Sequence, residues 1–360
     1  MLISGKQYRS IWTEKNGKEV KIIDQRKLPH SVEIITLNSL DQTVKAISKM
    51  YVRGAPLIGV TAAFGFYFAM KEDCSEQSID KAFEELINAR PTAVNLAWAC
   101  QRVSKRLKKI PDTDRKVYSL RLAEEMSDQD VETNYKIGHS GFNLIKKLAE
   151  NKKDSSPVRI LTHCNAGWLA TVDRGTATAP IYQARELGID LFVWVDETRP
   201  RNQGASLTAW ELYHNKINCK LIVDNAGGHL MQKGLVDAVI VGSDRTTING
   251  DVCDKIGTYL KALAAWDNNI PFYAALPTTT IDFDLENGSE IPIEEREEDE
   301  VLTMTGKTES GNTEKIRLTP LGIEASNPAF DVTPSKYITS LITEKGVINA
   351  DRKSIVKLKP

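Results

Sequence analysis

The second half of the chain repeats one pattern several times: an apolar run rich in β-branched residues, a turn with glycine or polar residues, and a helical stretch. Five runs begin these repeats: VRILTH, LFVWVDET, KLIVDN, VDAVIVGSD and PFYAAL. Strands that are apolar throughout and alternate with helices are typical of a parallel sheet covered on both faces. The repeat therefore predicts an α/β fold, with a Rossmann-like parallel-sheet domain over residues 151–360.

The first part of the chain has a different pattern. EVKIID and VEIITL read as strands of a small sheet, whereas residues 41–149 repeat apolar side chains at the three-to-four spacing of helices. The polar segment ENKKDSSP, which begins at Glu150, marks a boundary. We expect a smaller N-terminal domain, residues 1–150, of helices with a small β-sheet, and a length of 360 residues suits two domains.

Residues 283–325 interrupt the alternation of the second domain and are dense in acidic residues, as in EIPIEEREEDEV. We interpret them as a solvent-exposed β excursion. The alternative is an acidic metal-binding loop, but the segment has no recognisable ligand spacing.

Composition excludes several function classes. The net charge is −1, without the basic excess of a nucleic-acid binder. There is no apolar run of membrane-spanning length and no N-terminal secretory signal. The five cysteines have no metal-ligand spacing, and neither GxGxxG nor GxxxxGK[ST] occurs. We expect a cytoplasmic protein with no metal or organic cofactor and no nucleic-acid or membrane partner.

Polar residues follow four of the apolar runs directly: Cys164, Glu197, Asp224 and Asp244. Ligands bind at the carboxyl ends of the strands in an open parallel sheet, so these side chains should share one edge. For Asp224 alone, capping of the next helix is the favoured interpretation.

Cys164 lies in LTHCNAGWLAT, between a strand and a predicted helix, and a thiol near a helix N-terminus has a lowered pKa. The other four cysteines are interpreted as small buried hydrophobes. A Cys/His hydrolase using the adjacent His163 is disfavoured, because neighbouring residues of a strand point to opposite faces.

Asp244 follows one of the most apolar strands, in VIVGSDRTTINGD. A carboxyl there, facing a closed pocket, would have its pKa raised by loss of water and could act as a general acid. The alternative is an ion pair with Arg245.

Two segments suggest anion binding. In VRGAPLIG, Pro56 suits a first helical turn, so the N–H groups of Gly54 and Ala55, with Arg53 beside them, could face a phosphate. Lys255 is predicted to begin the helix KIGTYLKALAA, where a cation opposes the helix dipole and a bound anion would explain it. A solvated lysine is the alternative.

Together these segments resemble the methylthioribose 1-phosphate isomerase family, which is homologous to the regulatory subunits of the eukaryotic initiation-factor nucleotide exchanger. The matching stretches run in order over most of the chain: VRGAPLIGV, RPTAVNLAW, LTHCNAGWLAT, DETRPRNQGASLTAWEL, DNAGGHLM, VGSDRTTINGDVCDKIGTY, TTTID, IPIEER and NPAFDVTP.

The resemblance implies conversion of an aldose 1-phosphate to the ribulose 1-phosphate, a step of methionine salvage, by a homodimer without metal or organic cofactor. It implies Cys164 and Asp244 as the catalytic pair. It also implies a set of contacts to the phosphate and sugar: Arg53, Gly54, Ala55, Arg90, Gln203, Asp254 and Lys255.

The chain departs from the family pattern near this pocket. Asp254 stands where the family normally has asparagine, and an ionised carboxylate only accepts hydrogen bonds and adds negative charge beside Lys255. Gly227, Gly228 and Ser243 are also unusual there. A 5-deoxyribose 1-phosphate isomerase, or an enzyme for both sugars, therefore remains an alternative. Ribose 1,5-bisphosphate isomerase is the next alternative, and a non-catalytic regulatory subunit is the last.

Overall fold

The computed structural model describes residues 1–15, 17, 19–90 and 93–359. Five residues that belong to the predicted domains lie outside this set, two of them in the motif RPTAVNLAW: Asn16, Lys18, Pro91, Thr92 and Pro360. The described helices are α1 (Leu40–Ser48), α2 (Ala55–Glu72), α3 (Glu76–Asn88), α4 (Val94–Leu107), α5 (Asp112–Asn151), α6 (Ala179–Glu186), α7 (Ala209–His214), α8 (Ala226–Gln232), α9 (Thr258–Asp267), α10 (Asp299–Leu302) and α11 (Arg352–Ile355).

The described strands are β1 (Leu2–Ile3), β2 (Lys6–Gln7), β3 (Ile11–Glu14), β4 (Glu19–Ile23), β5 (Ile34–Leu37), β6 (Val158–Thr162), β7 (Leu191–Asp196), β8 (Asn218–Ile222), β9 (Ala238–Val241), β10 (Arg245–Thr247), β11 (Val252–Lys255), β12 (Phe272–Ala275), β13 (Ile281–Asp282), β14 (Thr303–Lys307), β15 (Thr313–Arg317), β16 (Phe330–Thr333), β17 (Ser340–Thr343) and β18 (Gly346–Ile348). The predicted mixed α/β fold is confirmed.

A seven-stranded sheet in the order β18-β17-β12-β9-β6-β7-β8 organises the second half of the described chain. All its neighbours pair in parallel except the antiparallel edge pair β17–β18. From β6 the chain first builds the sheet outward through β7 and β8, and then crosses back to β9 on the other side. Such a reversal opens a crevice at the carboxyl ends of the two central strands, which are β6 and β9.

The first part of the chain is helical, with the three-stranded sheet β3-β4-β5 packed against it. Helix α2 is almost wholly buried from Leu57 to Met70, as its continuous apolar run predicts. Helix α5 has 40 residues, and its two halves pack in different hydrophobic clusters. Leu122 packs in the N-terminal cluster, whereas Ile145 packs against the large sheet. The polar boundary segment therefore begins inside α5, which ends at Asn151.

A glycine brings the start of α2 to the sheet edge. Gly54 has φ +95°, and a Cβ at this position would overlap Ala170. Only glycine combines a positive φ with so close an approach. The first turn of α2 consequently lies against residues 168–170, shortly after the end of β6.

Residues 283–325 include the predicted β excursion, the antiparallel hairpin β14–β15, whose strand β15 is exposed along its length. Among the described residues, no helix combines the length and apolar character needed to cross a membrane.

Candidate active site

The four polar residues predicted at one sheet edge do lie there, because strands β6, β7, β8 and β9 all run in parallel. Cys164 follows β6 and Asp244 follows β9, and these two strands are direct neighbours. The thiol and the carboxyl therefore flank the crevice where the direction of the sheet reverses.

The backbone at Cys164 is held in an unusual conformation. Its φ is +63°, in the left-handed region that costs free energy for a residue with a Cβ. The Cys164 N–H donates to Oγ1 of Thr198 at 2.8 Å, and its carbonyl accepts from Oγ1 of Thr208 at 2.6 Å. The predicted helix N-terminus is wrong, because only a three-residue 3-10 turn, Trp168–Ala170, follows. Two hydroxyls thus hold the backbone that carries the thiol, and the segment after it supplies no α-helix N-terminus.

The expected lowering of the thiol pKa is also wrong. Burial raises the pKa of Cys164, and the charges of Arg53 and Lys255 oppose that rise, whereas Asp254 and Asp244 add to it. Without a ligand, the thiol consequently retains its proton at neutral pH. The same interactions place the thiol within electrostatic reach of both cations and both carboxyls.

Asn165, the residue after Cys164, holds Arg53 in place beside the cysteine. Its guanidinium donates to Oδ1 of Asn165 at 2.6 Å and to the Asn165 carbonyl at 2.7 Å. Gly54 and Ala55 then begin α2, with Pro56 in its first turn, as the sequence predicts. Sequence reasoning missed Asn165, although it lies next to the cysteine and is 2% exposed.

Lys255 does not begin a helix, so the helix-dipole argument for it is wrong. It is the last residue of β11, and α9 begins only at Thr258. Its Nζ donates to the Ala329 carbonyl at 2.6 Å and lies 4.3 Å from the centre of the Phe330 ring. Burial lowers the pKa of Lys255 to about 8. A buried ammonium with one neutral acceptor is well suited to bind an anion.

Burial works against the negative charge expected from the Asp254 carboxylate. The residue is 5% exposed, and burial, reinforced by nearby Asp244, raises the pKa of its carboxyl well above the usual range. A neutral carboxyl has one oxygen that carries hydrogen and can donate. Asp254 can therefore donate a hydrogen bond, as an amide would.

Arg90 and Gln203 complete the predicted set. Burial lowers the pKa of Arg90, and the charges of Asp244 and Arg53 also act on its guanidinium. Its Nη2 lies 3.8 Å from a carboxylate oxygen of Glu294. Gln203 is 6% exposed, and its Oε1 has no partner within the described part of the chain. A buried amide oxygen without a partner is costly unless a ligand satisfies it.

The acidic segment contributes residues that sequence reasoning placed in solvent. Glu294 accepts a hydrogen bond from Nε of Arg296 at 2.9 Å, and the Arg296 side chain is 8% exposed. The charges of Arg90 and Lys255 also lower the pKa of Glu294. The solvated interpretation is therefore wrong for these two residues. The sequence feature that could have identified them is the motif IPIEER, one of the stretches that match the family.

The structure decides the alternative raised for Asp224, which was capping of the next helix. Asp224 does not cap α8; its carboxylate accepts from the N–H groups of Thr198 and Arg199, both at 2.7 Å. It thereby supports the turn whose hydroxyl holds Cys164. Arg245 forms an ion pair with Asp282 at 3.8 Å.

A cavity of about 670 Å³ opens beside this cluster. Arg53 and Gln203 line it, together with residues that include Arg26, Glu300 and Thr303. Its volume is in the range usual for small-molecule sites. Two of the predicted contacts, Arg53 and Gln203, are therefore accessible to a ligand of sugar-phosphate size.

Comparison with known proteins gives a consistent picture. The model of the Initiation factor 2 subunit family matches residues 51–350. The chain is 54% identical to the methylthioribose-1-phosphate isomerase of Brucella anthropi over 361 aligned positions, covering 100% of the chain and 99% of that relative. It is also 54% identical to the methylthioribose-1-phosphate isomerase of Sinorhizobium medicae, with the same coverage.

Solved structures extend the comparison to three dimensions. The crystal structure of 5-methylthioribose 1-phosphate isomerase from Pyrococcus horikoshii OT3 superposes with a TM-score of 0.83 at 40% identity, covering 98% of this chain and 96% of that one. A structure named as translation initiation factor eIF-2B, subunit delta, from A. fulgidus gives 0.80 at 39% identity, covering 98% and 99%.

Proposed function

Because this chain belongs to the Initiation factor 2 subunit family, and its full-length relatives are named as isomerases, we propose that it converts 5-methylthioribose 1-phosphate to 5-methylthioribulose 1-phosphate. One observation carries the proposal. The thiol of Cys164 lies within electrostatic reach of Asp244, Arg53 and Lys255, and Arg53 also lines a cavity of substrate size. A purely regulatory subunit would have no use for that arrangement.

The reaction needs one proton donor and one acceptor. A phosphate on the anomeric carbon blocks spontaneous ring opening, so Asp244 gives a proton to the ring oxygen as the bond from C1 to that oxygen breaks. A hydrogen then moves from C2 to C1 while the C2 hydroxyl loses its proton. C2 becomes a ketone, C1 is reduced by the same amount, and the phosphate ester is unchanged, so the reaction is internally balanced.

Cys164 is the second catalytic group. Its two possible roles are to accept the C2 hydroxyl proton as a thiolate, or to stabilise the transition state through its S–H. Because burial favours the protonated thiol, the thiolate forms only where Arg53 and Lys255 outweigh burial. The donating role needs no such shift; the C2 hydroxyl proton then passes to the Asp244 carboxylate, which the ring-opening step has left ionised.

The phosphate is held at the start of α2 and by buried cations. Arg53, with the N–H groups of Gly54 and Ala55, binds it from one side, and Lys255 binds it from the other. Arg90, Gln203 and the protonated Asp254 hold the sugar hydroxyls. The buried, unpartnered Oε1 of Gln203 supports its assignment.

We expect kcat/KM to fall as pH rises through about 8, since the pKa of Lys255 is lowered to that value. Below it the lysine is an ammonium that attracts the phosphate, and above it the charge is lost. A pH profile of kcat/KM reports such a group of the free enzyme. In Lys255→Arg the guanidinium stays charged, so the alkaline limb should shift upward. A wild-type profile that stays flat to pH 9.5 would remove Lys255 from phosphate binding.

Asp254→Asn is expected to change kcat by no more than about threefold, because a neutral acid and an amide can make the same hydrogen bond. Asp254→Leu has no donor and should lower kcat/KM by about 30-fold. Steady-state kinetics on methylthioribose and 5-deoxyribose 1-phosphates measure both effects. A large loss in the asparagine variant would mean that the carboxyl acts in its ionised form.

The function is tested by following products by NMR with three substrates side by side: 5-methylthioribose 1-phosphate, 5-deoxyribose 1-phosphate and ribose 1,5-bisphosphate. We expect the first to turn over with the largest kcat/KM. The similarity to the structure named as an initiation-factor subunit makes a regulatory role the second candidate. Failure on all three sugars, with copurification of initiation-factor subunits, would favour it.

We extend the proposal to domain organisation, cellular location and oligomeric state. The order of the parallel strands, with its reversal between β6 and β9, supports a Rossmann-like domain over residues 151–360. Residues 1–150 would form the smaller domain. We further propose a cytoplasmic homodimer.

A further inference from the structure

The residue before Cys164 is a buried imidazole that connects two loops of the site. His163 is 1% exposed. Its Nδ1 lies 2.9 Å from Oδ2 of Asp196, and its Nε2 lies 2.8 Å from the carbonyl oxygen of Ile256. Ile256 directly follows Lys255 along the chain. One ring therefore joins the turn that carries the thiol to the turn that carries the buried ammonium.

The hydrogen-bond partners fix the direction of one contact. A carbonyl oxygen can only accept, so Nε2 of His163 carries a hydrogen and donates it to Ile256. The contact between Nδ1 and Asp196 holds the other side of the ring and sets its orientation, as a carboxylate commonly does for histidine. Both ring nitrogens are thus engaged by groups other than the thiol, which argues against a Cys164–His163 catalytic dyad.

Charged groups surround the imidazole on every side. Oδ1 of Asp224 lies 3.9 Å from Nδ1, and Nζ of Lys261 lies 3.3 Å from Oδ2 of Asp196. Asp331 lies nearby, and burial raises the pKa of its carboxyl. His163, Asp196 and Asp224 have ligand atoms within 4.8 Å of one another, the spacing of a metal site. The Lys261 ammonium already supplies the positive charge there, so the cluster is an ionic network.

The turn at Ile256 and Gly257, which accepts the hydrogen bond, packs closely against the His163 ring. Gly257 has φ +100°, and a Cβ on it would lie 3.2 Å from both Cε1 and Nε2 of His163. Its N–H donates to Oδ2 of Asp331 at 2.7 Å. Any larger residue would push the imidazole off Ile256 or open the turn.

We propose that His163 is a positioning residue for the isomerisation, and that its Nε2 bond to Ile256 holds the Lys255–Gly257 turn at a fixed distance from the thiol of Cys164. This role rests on the proposed function. The phosphate keeps Arg53 and the start of α2 when the bond is lost, so binding weakens little. The sugar then lies misaligned with the thiol, and misplacement by about 1 Å can cost about 100-fold in rate.

A matched pair of variants separates this role from a structural one. The side-chain nitrogen of His163→Gln reaches the position of Nε2, whereas that of His163→Asn reaches only the position of Nδ1. We expect the glutamine variant to keep kcat within about fivefold, and the asparagine variant to lose about 50-fold with KM within about threefold. His139→Gln, on the exposed face of α5, is the control. Equal kcat in the two variants, or a loss that follows only their Tm, would overturn the proposal.

NMR of the wild-type protein with ¹⁵N-labelled histidine gives an independent test that does not depend on the variants folding. We expect a slowly exchanging hydrogen on Nε2 of His163, coupled to the Ile256 carbonyl. An Nε2 without hydrogen overturns the positioning role alone. Inactivity of the wild type on all three sugar phosphates overturns the proposed function, and the spectrum is unaffected by that result.

Discussion

Replacing Cys164 with serine is expected to lower kcat by about 1000-fold while KM changes by less than about threefold, the pattern of a group that acts mainly in the transition state. The serine hydroxyl is far less acidic than the thiol and places its hydrogen closer to the backbone. It therefore serves poorly both as a base and as a donor. Steady-state kinetics with 5-methylthioribose 1-phosphate, supported by a binding measurement on the variant, would show the effect.

A second cysteine provides the control. Cys219 lies half-buried in β8, at the outer edge of the sheet, and Cys219→Ser should leave kcat unchanged. The backbone at position 164 is already held by Thr198 and Thr208, so the serine variant should fold. Turnover within tenfold of the wild type would remove the Cys164 thiol from the mechanism.

Asp244→Asn should lower kcat by a similar factor, about 1000-fold, because the amide occupies the same space but cannot give up a proton to the ring oxygen. The loss should persist across the pH range, since no protonation of an amide restores an acid. The variant should still bind the substrate, which is retained by its phosphate. A kcat profile from pH 5 to 9, compared with the wild type, is the measurement.

An exposed carboxyl serves as the control for this change. Asp284→Asn removes the same charge from a surface loop and should leave kcat unaffected. If Asp244→Asn lost activity only through a raised KM, the carboxyl would be a binding group and the acid would have to be sought elsewhere.

Much of the fold could be predicted because it depends on local patterns. The wholly apolar run of α2 and the buried β-branched strands are visible in short windows of sequence. The parallel order then places Cys164 and Asp244 at one edge, since connections of this kind follow a general rule. These inferences needed no knowledge of distant contacts.

The errors share one cause, which is that distant contacts decide local structure. The stretch from Lys255 onward has a helical pattern, yet β11 pairs with β16 and ends at that lysine. Gly257, with φ +100°, then turns the chain before α9 begins. Similarly, the acidity of the segment around Glu294 suggested solvent, whereas Arg90 from the N-terminal half of the chain pairs with it, beside the neighbouring Arg296.

The pKa shifts in the site also could not be predicted from the sequence. Burial raises the pKa of the Cys164 thiol and of the Asp254 carboxyl, and so favours the neutral form at both positions, where the sequence suggested an anion. Neither shift follows from neighbouring residues, because each depends on what the folded chain packs around the group. The hydrogen bond from His163 to Ile256 joins residues 93 positions apart and has no sequence signal.

A crystal structure of the Cys164→Ser variant with 5-methylthioribose 1-phosphate bound tests most directly whether thiol and carboxyl act on one anchored sugar. The account predicts a phosphate within hydrogen-bond distance of Arg53, Lys255 and the first N–H groups of α2. It predicts the C1–C2 bond between the side chain at position 164 and the Asp244 carboxyl. A phosphate bound away from both cations, or a sugar that contacts only one of the two catalytic positions, would contradict it.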